Sequence, residues 1–475
     1  MNTVSQKMMK VWASLGPRFL PFADAATPDL PLSRLLRLSL FQVAVGMSLV
    51  LLVGTLNRVM IVELNVPASI VGVMVSLPLI FAPFRALIGF KSDVHKSVLG
   101  WRRVPFLYKG TLVQFGGLAI LPFALLVLSG GGEAGHAPVW IGQVGAALAF
   151  LLIGAGVHTT QTVGLALATD LAAPETRPKV VGLMYTMLMF GMIASAIIFG
   201  MLLADFSPGR LIQVIQGSAV VTIVLNAVAS WKMEARRRTG GEVATAHPGA
   251  PAGGFRQSWD AFISGDNAMR RLVAVGFGTM AFSMEDVLLE PYGGQILHLS
   301  VGDTTKLTAA LAVGGLFGFG LASRVLSRGA DPFRMASAGA LVGIPAFLLV
   351  IFAAELQGAA SALMFGFGTL LIGFGAGLFG HGTLTATMNA APKDQAGLAL
   401  GAWGAVQASA AGVAIALGGI LRDAVTALAP QLGPAAGYNF VYCLELLLLF
   451  ATLVTMVPLI RRRDTLLMQG QPSRS

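Results

Sequence analysis

The sequence predicts an all-α membrane protein of twelve transmembrane helices, arranged as two pseudo-symmetric halves of six with both termini cytoplasmic. Three observations predict it. Of 475 residues, 55% are hydrophobic and 11% are charged, against about 25% charged in soluble domains, and mean hydropathy is +0.76. The apolar residues fall into twelve stretches that can cross a hydrocarbon core, which takes about 20 residues. Lys and Arg gather in alternate connections, which sets the sidedness. A soluble enzyme is excluded. The single cysteine, Cys443, lies in an apolar run, so no disulfide framework or cysteine-built metal site is expected.

Residues 1–33 read as a cytoplasmic segment. Within it Val4, Met8, Val11, Trp12 and Leu15 lie near one helical face, with Lys7 and Lys10 elsewhere, which reads as a short interfacial helix rather than a cleavable signal. The first half, 34–231, carries spans near 36–62, 68–90, 104–129, 139–168, 180–204 and 209–231. Residues 232–270 form a cytoplasmic linker, with Arg236, Arg237 and Arg238 followed by ATAHPGAPAGGF. The second half, 271–460, spans 271–297, 305–326, 334–354, 361–388, 397–421 and 438–460, and 461–475 form a cytoplasmic tail. Only Arg58, Arg210, Lys306 and Arg422 fall on the outer side, so the net charge of +10 is a topology signal and not a nucleic-acid footprint.

An internal repeat relates the halves. LLIGAG at 151–156 recurs as LLIGFG at 370–375, each followed by an Ala-Ala-Pro turn at 172–174 and 390–392. Asn57-Arg58-Val59 with Glu63 aligns loosely with Glu285-Asp286-Val287 and Glu290. With six plus six spans, this favours a major-facilitator-type bundle with parallel-related halves. Between the second and third spans, Gly89, Asp93, Gly100, Arg102 and Arg103 resemble the loop motif of that superfamily. Gly89, Asp93, Arg102 and Arg103 are read as a conformational or structural device, Asp93 capping a neighbouring helix end.

Ionisable residues within spans are the default functional candidates, because burying them is costly unless they are paired or wet. At about 1.5 Å per residue, His158 lies about 19 residues along the fourth span and His381 about 20 along the tenth, at matching depth. Each is a candidate ligand for the magnesium of a chlorin; each imidazole can equally hydrogen-bond a neighbouring helix. Asp286 and Glu290, four apart in the seventh span, share a helix face. Arg58 of the first span is expected to pair with Asp286 or Glu290 across the halves, in a polar network that includes Asn57 and Glu285. Pro291 and Gly293-Gly294 are expected to interrupt that helix. Gly314/Gly318 and Gly373/Gly377 have the spacing of close helix contacts. Arg85 is read as snorkelling to the interface, and Gln42 and Glu445 have no evident role. There is no GxxxxGK[ST], HExxH or GxSxG, so no enzymatic site is expected.

RFLPFADAATPDLPLSRLLRLSLFQVAVGM, GTLNRVMIVEL, FAPFRALIGFKSD, GWRRVPF and DVLLEPYGG together resemble the PucC/LhaA family, the bacteriochlorophyll-delivery branch of the major facilitator superfamily in photosynthetic bacteria. The resemblance implies a light-harvesting assembly factor in the intracytoplasmic inner membrane, with LH1 preferred over LH2 as the antenna served. It implies bacteriochlorophyll as bound cargo. Its implied partners are the antenna α and β polypeptides, bacteriochlorophyll synthase, the membrane-insertion machinery and membrane lipid. A proton-coupled secondary transporter of a small molecule and a pigment-free antenna-assembly scaffold are the rival readings.

Overall fold

A computed structural model describes residues 25–27, 30–81, 84, 88, 91, 92, 95, 100–130, 136–173, 176–234, 263, 264, 267–356, 358–390 and 396–460. Among these, eleven helices are long and apolar enough to cross a membrane. They are α1 Leu32–Glu63, α3 Val104–Ser129, α4 Val139–Leu171, α5 Arg177–Leu202, α6 Pro208–Ser230, α7 Ala268–Gln295, α8 Val301–Leu326, α9 Pro332–Phe352, α10 Ala359–Ala390, α11 Ala396–Leu428 and α12 Ala436–Met456. In the place of the second span stands a shorter helix, α2, Ala68–Ser76, continued by a 3₁₀ stretch Leu77–Phe81. The interfacial helix expected at 3–16, most of the rest of the second span with Arg85, Gly89 and Asp93, the bulk of the linker and the tail lie outside the described residues.

The chain forms two compact units, Met1–Leu52 with Phe81–Gly241, and Val53–Ile80 with Glu242–Ser475. The division therefore falls within α1 as well as within the linker, and α2 belongs with the second unit.

In the first unit, α1 packs on α5 through reciprocal glycines. A Cβ at Gly46 would meet the backbone of Leu188 and Met192, and one at Gly191 the backbone of Val43. Without side chains there, two backbones come together and gain close dispersion contact, the main source of helix association in lipid. α3 lies against α4 and α6. Leu35, Leu38, Phe41, Leu167, Val180, Leu183 and Met184 bury one end of α1 against α4 and α5.

In the second unit the same device joins α8 to α10. A Cβ at Gly314 would meet the Leu370 carbonyl, and one at Gly373 the Leu311 carbonyl. α2 lies on α11, and α12 packs with α7, α9 and α11. Pro122 in α3 and Pro345 in α9 each stand inside their helix, about two turns from its end, a mark of the repeat in helices that carry no obvious sequence likeness.

Two spans are irregular. α1 begins as α-helix, then winds as π-helix over Val50–Leu56 and Val59–Glu63. α7 is α-helical over Ala268–Ala281, turns at 282–284, makes a 3₁₀ turn at Glu285–Val287 and resumes over Leu289–Gln295. Pro291 and Gly293-Gly294 thus do not interrupt the span. The break precedes them, and Pro291 sits in the first turn of the resumed helix, where an N–H would lack an intrahelical acceptor in any case.

Candidate functional site

The two irregular spans meet in the second unit, and their meeting builds its polar site. The π-helical turns of α1 carry Gly54, Thr55 and Glu63, with Asn57 and Arg58 between them. Gly54 lies against Thr308 of α8, where a Cβ would collide with the threonine side chain. That approach brings Asn57, wholly buried, to the break in α7. Its Nδ2 donates to the Asp286 carbonyl at 3.1 Å and to Glu290 Oε2 at 3.2 Å, while its Oδ1 accepts the Arg58 N–H at 2.6 Å. Glu290 Oε1 accepts the Thr308 hydroxyl at 2.7 Å. Glu290 is therefore held by neutral donors on two sides.

Arg58 does not pair with Asp286 or Glu290. Its Nη1 makes an ion pair with Glu63, because the π-helical winding from Val59 to Glu63 brings the residue five positions on beneath it. Its Nη2 donates to the Leu299 carbonyl at 3.0 Å. Gly294 explains part of the Glu-Pro-Tyr-Gly-Gly sequence: a Cβ there would lie 3.0 Å from the Arg58 Nε and Nη2. Asp286 lies in the 3₁₀ turn and Glu290 in the resumed α-helix, so no continuous α-helix joins the two.

Glu445 of α12, without an assigned role in the sequence, completes the site. Its Oε1 accepts the backbone N–H of Glu285 at 2.8 Å. Glu285, Glu290 and Glu445 are 2%, 3% and 0% exposed. Nearby, Tyr292 of α7 lies in a nest of rings, its centroid 5.5 Å from Phe365 and Tyr442 and 5.4 Å from Tyr438. Arg422 of α11 donates to Gln295 at 2.6 Å, pairs with Asp423 at 2.8 Å and stacks over the Tyr438 ring. Asp423 in turn accepts the Ser69 N–H at 2.7 Å, capping α2.

The first unit keeps its charges at a helix end. Arg102 and Arg103 both reach Asp170 of α4, at 2.5 and 3.1 Å. Glu234, just beyond α6, accepts the backbone N–H groups of Arg102, Arg103 and Val104 at 2.7 to 3.0 Å. A carboxylate at a helix N-terminus satisfies otherwise orphaned donors and meets the positive end of the dipole. Gly89 and Asp93 of the loop motif lie outside the described residues.

The two histidines fall on their expected helices, His158 on α4 in the first unit and His381 on α10 in the second, each half-buried. The His381 ring lies 4.3 Å from that of Phe319, and its Nδ1 is buried with no hydrogen-bond partner among the described residues.

The described residues form an all-helical bundle of eleven spans with a shorter helix in the place of the second, the architecture of a major-facilitator-type membrane protein. It is similar to a bacterial homologue of the iron transporter ferroportin in its inward-facing state, with a TM-score of 0.64 at 16% identity, covering 90% of this chain and 98% of that one. That likeness shows the fold. The chain belongs to the PUCC protein family, whose model matches residues 55–464. It is 65% identical to Protein PucC of Rhodovulum sulfidophilum over 425 residues, 90% of this chain and 92% of that protein. It is 58% identical to Protein PucC of Cereibacter sphaeroides over 464 residues, 97% and 98% of the two.

Proposed function

We propose that this chain is an assembly factor for the light-harvesting antenna complexes of photosynthetic bacteria, without enzymatic activity of its own, that binds bacteriochlorophyll or delivers it to the antenna α and β polypeptides. It works in the intracytoplasmic inner membrane with both termini in the cytoplasm, alongside bacteriochlorophyll synthase and the insertion machinery, and serves LH1 in preference to LH2. The observation that carries this reading is membership of the PUCC family across residues 55–464. Two of the sequence segments that carry the family resemblance, around Asn57-Arg58 and around Glu290, hold one another in the second unit.

The residues fit the pigment in their donor chemistry. A chlorin magnesium takes a neutral nitrogen as axial ligand, and an imidazole supplies one. His381 offers a half-buried ring beside Phe319 with a buried Nδ1 that no group among the described residues engages, and His158 offers a second on α4. When bound, the bacteriochlorophyll supplies the light-absorbing macrocycle. The protein's part is to hold it in an apolar setting until single-span antenna helices dock against small-residue helix faces.

The test is an absorption spectrum with pigment extraction on the protein purified in mild detergent from pigment-making cells lacking antenna complexes. Stoichiometric bacteriochlorophyll, lowered in His158→Ala or His381→Ala, is the expected result. Pigment unchanged in both variants would discard the histidines, and a colourless protein that still co-purifies with antenna chains would replace pigment delivery with scaffolding. Antenna spectra of cells lacking the protein would show whether LH1 or LH2 is lost.

A further inference from the structure

We propose that the first unit carries a site for one anionic phospholipid, in a groove between α5 and α6 with Arg210 at its mouth. This is independent of pigment binding.

The groove follows from how the helices pack. α5 and α6 each lie along α1 and touch one another little. A cleft of about 590 Å³ stays open between them, with Met47 of α1 as its floor. That is the size of a small-molecule site. Arg210, Gln213, Gly217 and Val221 line it at helical spacing along one face of α6, and Ser195, Ile198 and Leu202 do so along α5. Gly217 keeps the cleft wide, since a Cβ there would meet nothing within 4 Å.

The groove has a cationic end. Arg210 stands in the first turn of α6. Its guanidinium is half exposed and donates no hydrogen bond among the described residues; its one ion pair there is to Asp205, 4.0 Å away and 98% exposed. The fork of N–H donors is therefore available to a phosphate, which it can grip with two parallel bonds. Gln213, one turn deeper, adds an exposed amide. In the wall, Ser195 is 7% exposed and makes no hydrogen bond among the described residues. Ser48 and Ser218, on the two neighbouring helices, each close on the carbonyl four residues back. An unspent hydroxyl in a span calls for an acceptor, and the ester carbonyl beneath a phosphate headgroup is one.

The depth selects a lipid over a polypeptide. From Arg210 to Val221 the groove runs about 16 Å along α6 at 1.5 Å per residue, close to half of a hydrocarbon core of about 30 Å. That is one leaflet. A partner's spanning helix would need a seat across the whole core. An amphiphile with a negative head and an apolar tail matches a cation at the mouth and apolar walls one leaflet deep. A zwitterionic lipid brings the same tail, but its own cation weakens the hold of Arg210 on its head.

The experiment is native mass spectrometry of the full-length protein, delipidated in mild detergent and equilibrated with equal amounts of phosphatidylglycerol and phosphatidylcholine of the same chains. The wild type is expected to retain one phosphatidylglycerol in preference to phosphatidylcholine. Arg210→Gln should lower that preference about fivefold, the scale of one charge-assisted contact shared with water. Gly217→Leu fills the groove at a position with room for a side chain, and should lower retention of both lipids with the guanidinium intact. Gly116→Leu, an equally open position on α3 outside the groove lining, should bind as the wild type does. Equal retention of the two lipids by the wild type would overturn the proposal, and so would a preference that survives both groove variants. A preference lost in Arg210→Gln but kept in full in Gly217→Leu would also overturn it, leaving a rim charge without a groove. So would a polypeptide, in place of lipid, carried by the wild type and lost in Gly217→Leu.

Discussion

The two units handle charge in an apolar bundle in opposite ways. In the first, Arg102 and Asp170 lie at a helix end with side chains 26% and 36% exposed, water shares the solvation, and Glu234 completes a helix N-terminus. In the second, Glu285, Glu290 and Glu445 are at most 3% exposed, and an amide, a hydroxyl and a backbone N–H replace water. The first arrangement keeps full charges because something solvates them. Among the described residues the second has no lysine or arginine paired with these acids, so their satisfaction rests on a few neutral donors, each hard to replace. Irregular backbone goes with it: the π-turns of α1 and the break in α7 are what aim Asn57 and Glu285 at their partners.

The largest effect tests a rule the units share. Gly314→Val should cost about 3 kcal/mol or more, since the new side chain meets the Leu370 backbone, which cannot yield as a side chain would. Thermal unfolding in detergent would read it. Gly366→Ala, a position with open space, should be silent. A stable Gly314→Val would mean that α8 and α10 are not backbone to backbone.

Next is the contrast between buried amides. Asn57→Leu strips Glu290 and the Asp286 carbonyl of a donor each, and should cost about 2–3 kcal/mol. Asn226 of the first unit is nearly as buried but gives its amide to the Thr111 hydroxyl alone, at 2.9 Å; Asn226→Leu should cost about 1 kcal/mol. Equal losses would erase the difference drawn between the units.

Glu63→Gln leaves the Arg58 guanidinium, 5% exposed, without its carboxylate. Because Glu63 is itself about a third exposed, the cost should be about 2 kcal/mol rather than the larger figure for a fully buried pair. Exchanging the pair, Arg58→Glu with Glu63→Arg, should recover part of the loss. Exchanging Arg58 with Asp286 should recover none, and recovery there would restore the pairing expected from sequence.

The helices and their order were legible because lipid demands long apolar runs, and those survive any packing. The site was legible in part. Asn57, Arg58, Glu285 and Glu290 stood out as polar groups in spans, and Asn57 with Glu290 did come together. The Arg58 partner was missed because a π-turn, which has no sequence signature, changes which residue lies beneath which. Glu445 has no local pattern to mark it, because its partner is 160 residues away. That α1 and α7 are each followed by a left-handed residue, Asn65 and His298, emerges only from the backbone, and the register it gives, Asn57 with Glu290, differs from the alignment by residue type, Arg58 with Asp286.

The last effect sharpens the comparison most. Asp170→Asn takes the acid from Arg102, 26% exposed, and from Arg103, 6% exposed, and should cost about 1–2 kcal/mol. Its size should depend on salt, because charges within reach of water are screened at about 8–10 Å near physiological ionic strength. Asn57→Leu should show no such dependence, since Asn57 and Glu290 are at most 3% exposed. Measuring both losses at low and high salt separates the two kinds of site without reference to their magnitudes. A salt-sensitive Asn57→Leu would mean that ions or water reach Glu290, and the second unit's acids would then be charges in a wet cavity.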